Sequence, residues 1–475
     1  MRKTTTSTII CVLALLLLPL TACNNTDDSK EPLYTLNDLL DIAHERRLNI
    51  IANRPDYQRL SQFTADMDFV PTTGVVFPAV RVRRAGDLHI TAEEAAGDAM
   101  LLFYVMRQLY GPYIYFGGDD VFVPIFDTIV DEIMAFGEMA TLDLHLILVN
   151  NLDPVIRDNH FMLGTMSFSV NAIFHKSLVP FDRDERGFIH RASGLVVTEI
   201  EEHDMYYVLR LSMDEQGDVF YSPIVYDLHT PIGLIDQTRT IRVHMEDGSV
   251  IELGLERYMP QARVASMTRM WRVDGVPIMN IMQMGNPDAV LSTRRRDVET
   301  QTFLGFIDEL RDEPVFIIDL RGNDRGYITL GEHWLYTLLG ESVPRNSLRV
   351  AGYARYAMQT SPIRDNHLVQ HDGLIIMLID RSTSFAAEAF ADHLFSMRNT
   401  LVIGQNSNGS HITSVHDQEI PWTLPNSGLQ LRFGDAVFAH PEGHFAEGLG
   451  FAPDIWVHGD ALTATLALID NNRDD

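Results

Sequence analysis

Two short apolar runs in the last third of the chain, Val315-Phe316-Ile317-Ile318 leading into Asp319-Leu320, and Leu374 to Ile379, constrain the fold more than any other feature. Runs this short and this rich in isoleucine read as strands covered on both faces, which is the pattern of a parallel sheet packed between helices. The segments around them fit. Phe303 to Leu310 predicts a short amphipathic helix before the first run, and Ala386 to Met397 predicts a helix after the second, followed by a strand at Leu401–Gly404. This alternation predicts an α/β layer domain over residues 301–463.

Upstream the pattern differs. Residues 33–150 read as a helical domain: Thr35 to Asp38 suits a helix start ahead of Leu39, Leu40 and Ile42. Thr91 with Glu94 three positions on is a capping box opening a helix that Gly111-Pro112 stops. Another helix is expected from near Asp120 through Ile133. Residues 151–300 instead carry short runs rich in Val, Ile and Tyr, such as Tyr206 to Leu211 and Thr240 to Met245. The second is followed by Glu246-Asp247-Gly248-Ser249 and Val250 to Leu253, which predicts a β-hairpin. This stretch is expected to form a small β-rich insert.

The first residues have the layout of a secretory signal: Arg2 and Lys3, an apolar run from Ile9 to Leu20, then Leu20-Thr21-Ala22-Cys23. The run is short for a bilayer span. Its ending resembles the bacterial lipobox, which implies a signal peptide over 1–22, lipid attachment at Cys23, a polar tether over 23–32, and a location on the extracytoplasmic face of the cell membrane. Cys11 lies in the segment to be removed, so the mature fold is expected to hold no disulfide. With 46% apolar residues the chain has ample material for a core. Its formal charge is −28, and removal of Arg2 and Lys3 makes it 35 − 65 = −30, which argues against nucleic acid as a partner.

Four landmarks recur in the order used by one enzyme family. Asp319-Leu320-Arg321-Gly322-Asn323-Asp324-Arg325-Gly326 is a strand and turn; Asp380 to Glu388 turns from a strand into a helix; Val402-Ile403-Gly404 and Gly450-Phe451-Ala452-Pro453-Asp454 follow. Together they resemble the tail-specific, or C-terminal processing, serine peptidases, over roughly residues 151–457. The resemblance implies an α/β fold with a crotonase/ClpP-like peptidase core, extended peptide or unfolded protein tails as substrates, and no cofactor or metal.

A serine hydroxyl needs a base within hydrogen-bonding reach. One branch of this family uses a lysine after the serine, but lysine occurs here only at Lys3, Lys30 and Lys176. The resemblance therefore points to the histidine branch, with Ser384 as nucleophile and His160, in Ile156-Arg157-Asp158-Asn159-His160-Phe161, as base; His145 is the alternative. Glu447 or Glu388 would orient the imidazole, and the backbone amides at Phe385 and Gly326 would form the oxyanion hole. Two positions depart from the family. Counting back three residues from Glu388, the nucleophile position holds Phe385, with Ser384 one place earlier; and Arg325 stands where the family has a glycine, crowding the expected approach of substrate. Metal-site spacing is not evident among the histidines, and no phosphate-binding or dinucleotide fingerprint is present. The leading expectation is a serine-type endopeptidase; the alternatives are an inactive peptidase fold that binds peptides, and an exported solute-binding lipoprotein.

Overall fold

The computed structural model describes residues 34–52, 89–168, 172–227, 238–258, 268–285, 298–340, 348–350, 372–395, 397–410, 413–414, 422–438 and 447–473. The signal segment and Cys23 lie outside them.

The fold is organised by one 14-stranded mixed sheet. Its strands are β1 (Ile173–Lys176), β2 (Phe181–Asp184), β3 (Gly187–His190), β4 (Val197–Ile200), β5 (Leu209–Met213), β6 (Val219–Asp227) and β7 (Thr238–Met245), followed by β8 (Val250–Arg257), β9 (Arg269–Val273), β10 (Val276–Asn280), β11 (Val315–Asp319), β12 (Leu374–Ile379), β13 (Thr400–Gly404) and β14 (Ile455–Val457). The main path runs β9-β10-β11-β12-β13-β14-β5-β6-β1-β8-β7-β4, with β2 and β3 attached beside β6. Pairing is parallel from β10 through β14 and on to β5, and antiparallel elsewhere on the path.

The apolar runs are explained by their two faces. Side chains alternate across a strand, so in β12 Ile376 and Leu378 join one core while Ile375, Met377 and Ile379 join the other. The first core is closed by helix α1 (Leu36–Ala52), through Leu39 and Ala43, and by the C-terminal helix at Ala461–Asn471, through Ala464 and Leu468. The second is closed by helices at Ile328–Leu339 and Ala386–Phe395, which supply Trp334, Leu335, Ala387 and Phe390. A third core lies among α2 (Ala92–Leu109), α3 (Asp119–Phe136) and α4 (Thr141–Leu152), with Phe161 and Leu431. The capping box at the start of α2 is formed: the Thr91 hydroxyl accepts from the Glu94 amide at 3.2 Å, and the Glu94 carboxylate accepts from the Thr91 amide at 3.0 Å.

Three expectations need correction. The stretch 151–300 is no separate insert, because β14 pairs in parallel with β5 and β10 with β11, so one sheet crosses the expected boundary at 300. Tyr206 to Leu211 is not one strand: Met205–Val208 is a helical turn and β5 starts at Leu209. Asp204 caps that turn by accepting from the Tyr206 amide at 2.9 Å, and Tyr206 and Tyr207 stand 62% and 72% exposed instead of entering the sheet. The helix expected over Phe303–Leu310 is two pieces, Val298–Gly305 and Ile307–Leu310. The expected hairpin is present as β7 and β8. Among the described residues no helix is long and apolar enough to cross a membrane.

Beyond β14 lies a buried polar chain. His458 Nε2 is 2.8 Å from the Ser222 hydroxyl, which is 2.8 Å from the Ser212 hydroxyl, and the imidazole stacks on Phe220. Burial, and then the charge of Lys176, push the His458 pKa down from 6.5 to about 3. The folded protein thus keeps this ring neutral while the unfolded chain protonates it below its ordinary pKa. Its contribution to stability is therefore full above 6.5 and declines as pH falls toward 3. His458→Gln is expected to flatten this acid-side loss, read as the urea midpoint against pH; an unchanged pH slope would remove His458 from the account.

Candidate active site

The site sits at the carboxyl ends of β11 and β12, where ligand crevices of parallel sheets form. The two loops there are tied together by their own polar groups. Asp319, fully buried, takes the Arg321 guanidinium through both oxygens at 2.9 and 3.0 Å, and Arg321 also reaches Asp460 at 2.9 Å. Asp380 accepts from the amides of Gly322 and Ser382 at 3.1 and 2.9 Å. Thr383 donates to the Leu320 carbonyl, and the Ser384 amide donates to the Asn323 carbonyl at 2.9 Å. These bonds explain why Asp-Leu-Arg and the Asp380–Glu388 turn occur together.

The turn leads straight into the helix at Ala386, and its left-handed residue is Phe385, with φ of 50°. Such a conformation in a bulky residue costs about 1–3 kcal/mol and persists only where the surroundings impose it. The strained position is thus Phe385, three residues before Glu388, and Ser384 precedes it. The phenyl ring packs against the second core and against the His160 ring, 5.5 Å between centroids. No hydrogen bond joins the Ser384 and His160 side chains among the described residues, and the Nδ1 atom of His160 is buried without a hydrogen-bond partner.

The histidine turn is held from three directions. Asp158, fully buried, accepts the His160 amide at 2.8 Å through one oxygen and the Tyr110 hydroxyl at 2.8 Å through the other. The Asn159 amide donates to Glu447 at 3.2 Å, and its side chain contacts Asn408 Oδ1, the Gly409 carbonyl and Ser410 Oγ. Asp158, His160 and Glu447 consequently face one another, one polar atom of each lying within 4.8 Å of the others. Burial and the neighbouring Asp158 push the Tyr110 hydroxyl well above its usual range, so it acts as a donor.

Several sequence assignments change. Glu388 does not face the imidazole. Fully buried, it accepts from Ser407 Oγ at 2.6 Å and from the amides of Gly409, Ser410 and Phe385 at 2.7, 2.9 and 2.9 Å. Burial raises its pKa against the pull of these donors. Because the Phe385 amide is committed to Glu388, it is not available in this conformation as an oxyanion donor. Gly326, the other expected donor, takes φ of 128° beside Met284, where a Cβ would lie 2.5 Å from the Met284 carbonyl. Met284 and Tyr327 are bonded across it through other groups, leaving the Gly326 amide outside those bonds. Arg325 does not crowd the approach: 68% exposed, it pairs with Asp324 at 2.7 Å. His145, the alternative base, is bonded to the Leu163 carbonyl at 2.9 Å and serves the helical domain.

Residues not singled out from the sequence also build the site. Asp158 and Tyr110 fix the histidine turn, and Arg381 anchors the turn after Glu447 by donating to the Leu449 and Gly448 carbonyls at 2.9 and 3.1 Å and to the Ser407 carbonyl. Its burial lowers its pKa to about 10. Asp158 had a local signal, an acidic residue two before the histidine; Tyr110 and Arg381 had none.

Residues 279–457 match the family model described as Peptidase family S41. Among solved structures, mature CPAF is similar at 13% identity, covering 81% of this chain and 95% of that one, with a TM-score of 0.40. The photosystem II D1 C-terminal processing protease is similar at 12% identity, covering 76% and 92%, with a TM-score of 0.36. The tricorn protease is similar at 13% identity, covering 80% and 37%, with a TM-score of 0.34. No curated protein matches the chain. The matched segment 279–457 has a mixed α/β fold of helix-covered parallel strands.

Proposed function

We propose that this chain uses a serine-peptidase fold to hold extended peptide tails without cutting them, as a lipid-anchored protein on the extracytoplasmic face of a membrane. One observation carries the loss of turnover: a phenyl ring, from Phe385, stands at the strained strand-to-helix position and packs on the His160 ring. A benzyl side chain supplies no nucleophile. Peptide as the ligand class follows from the family match, and the anchor from the lipobox-like ending at Cys23.

A second reading, hydrolysis by Ser384, is favoured by one feature, the retained cluster of His160 with Glu447 and Asp158. It requires the turn to re-form, because a one-residue shift at a helix start rotates a side chain by about 100°. The solute-binding alternative would call for two similar lobes around a cleft, and one continuous sheet stands in their place among the described residues.

The experiment is labelling of the lipid-free protein with a fluorophosphonate probe beside an active serine peptidase, together with fluorescence anisotropy of an unstructured peptide tail. We expect no labelling and saturable peptide binding. Labelling that disappears in both Ser384→Ala and His160→Ala would establish the second reading, and absent peptide binding would remove the first.

A further inference from the structure

We propose that Asp158, His160 and Glu447 form a binding site for a divalent transition-metal ion of the zinc class. The inference rests on the reading above, in which Phe385 leaves His160 without a serine to deprotonate.

The three groups lie close enough to converge on a common centre. His160 Nδ1 lies 3.6 Å from Asp158 Oδ1, beyond the roughly 2.7–3.2 Å of a nitrogen–oxygen hydrogen bond. Two donors each about 2.0–2.1 Å from a tetrahedral ion are separated by roughly 3.3 Å, so a small inward adjustment brings this pair to ligand spacing. Glu447 closes the set, with all three donor atoms within 4.8 Å of one another. The His160 Nδ1 atom is buried and makes no hydrogen bond, with the Asp158 carboxylate 3.6 Å away.

Charge points the same way. Asp158 and Glu447 are both buried beside the imidazole, and a dication is attracted to two carboxylates in such surroundings more strongly than in water.

The carboxylates are also braced as metal ligands are. Tyr110 donates to Asp158 Oδ2 and the His160 amide to Oδ1, while the Asn159 amide donates to Glu447. Outer hydrogen bonds of this kind fix ligand orientation and raise affinity. One nitrogen and two oxygens are a borderline donor set suited to zinc and its first-row neighbours. Three protein ligands leave a coordination position open.

The test is a titration of metal-free protein with cobalt(II), read by its visible absorption bands, followed by displacement with zinc and calorimetry. One equivalent should bind, and His160→Ala and Glu447→Gln should each weaken binding by at least about 100-fold. No binding by the wild type, or unchanged binding by folded variants, overturns the proposal. Circular dichroism establishes that the variants fold. Should either fail, an anomalous difference map from zinc-soaked wild-type crystals decides: a peak among the three side chains supports the site, and a peak elsewhere or none overturns it. Fluorophosphonate labelling of the same metal-free protein separates the two failures. Labelling would sink the underlying reading, whereas neither labelling nor metal binding would sink this inference alone.

Discussion

Phe385→Ser is expected to bring fluorophosphonate labelling that the wild type is expected to lack, and the added substitution His160→Ala is expected to abolish it again. Phe385 has the left-handed backbone at the strand-to-helix turn, and its ring is already the neighbour of the imidazole. A hydroxyl introduced there stands where a positioned base can contribute roughly 10²–10⁴ in rate. The Glu388 bond to the residue 385 amide is expected to persist in the variant, so labelling should be slower than in an active serine peptidase. If wild type and Phe385→Ser label equally, and Ser384→Ala abolishes both signals, the nucleophile is Ser384 and the positional argument is wrong.

The second large effect concerns stability. Asp454→Asn should destabilise the fold by about 3–5 kcal/mol, the usual consequence of removing one partner from a buried ion pair. Asp454 and Arg47 are 1% and 4% exposed in their side chains. The carboxylate takes Arg47 on one oxygen and Arg46 at 2.8 Å on the other, and it also accepts the Val402 amide at 2.8 Å. Arg47 further donates to the Met397 and Thr400 carbonyls. Together these bonds seat α1 at the start of β13. Asparagine keeps the shape and can still accept from Val402, but it leaves the arginines without their counter-charge. The urea midpoint reports the loss; a change below about 1 kcal/mol, as surface pairs show, would mean that α1 is held by Leu39 and Ala43 alone. The Pro-Asp landmark is thereby explained as a docking point for the N-terminal helix, which its sequence context did not suggest.

Local sequence determined those elements whose stabilising groups are neighbours in the chain. The strands at Val315 and Leu374 followed from apolar runs covered on both faces, the start of α2 from Thr91 and Glu94, and the hairpin from Glu246 to Ser249 between two alternating runs. The likeness to the peptidase family was legible too, because its landmarks are contiguous segments. The tertiary structure decided which residues meet. Glu388 and Glu447 were equal candidates in the sequence. Folding buries the first among the donors of Ser407, Gly409 and Ser410 and brings the second to the His160 turn. The expected insert proved continuous with the sheet of the C-terminal segment, because β5 and β14 are parallel partners far apart in sequence. Tyr110 and Arg381 acquired their places through contacts of the same long-range kind. A period or a cap is written in adjacent residues, whereas a side chain's partner is set by backbone hydrogen bonds and core packing between distant segments.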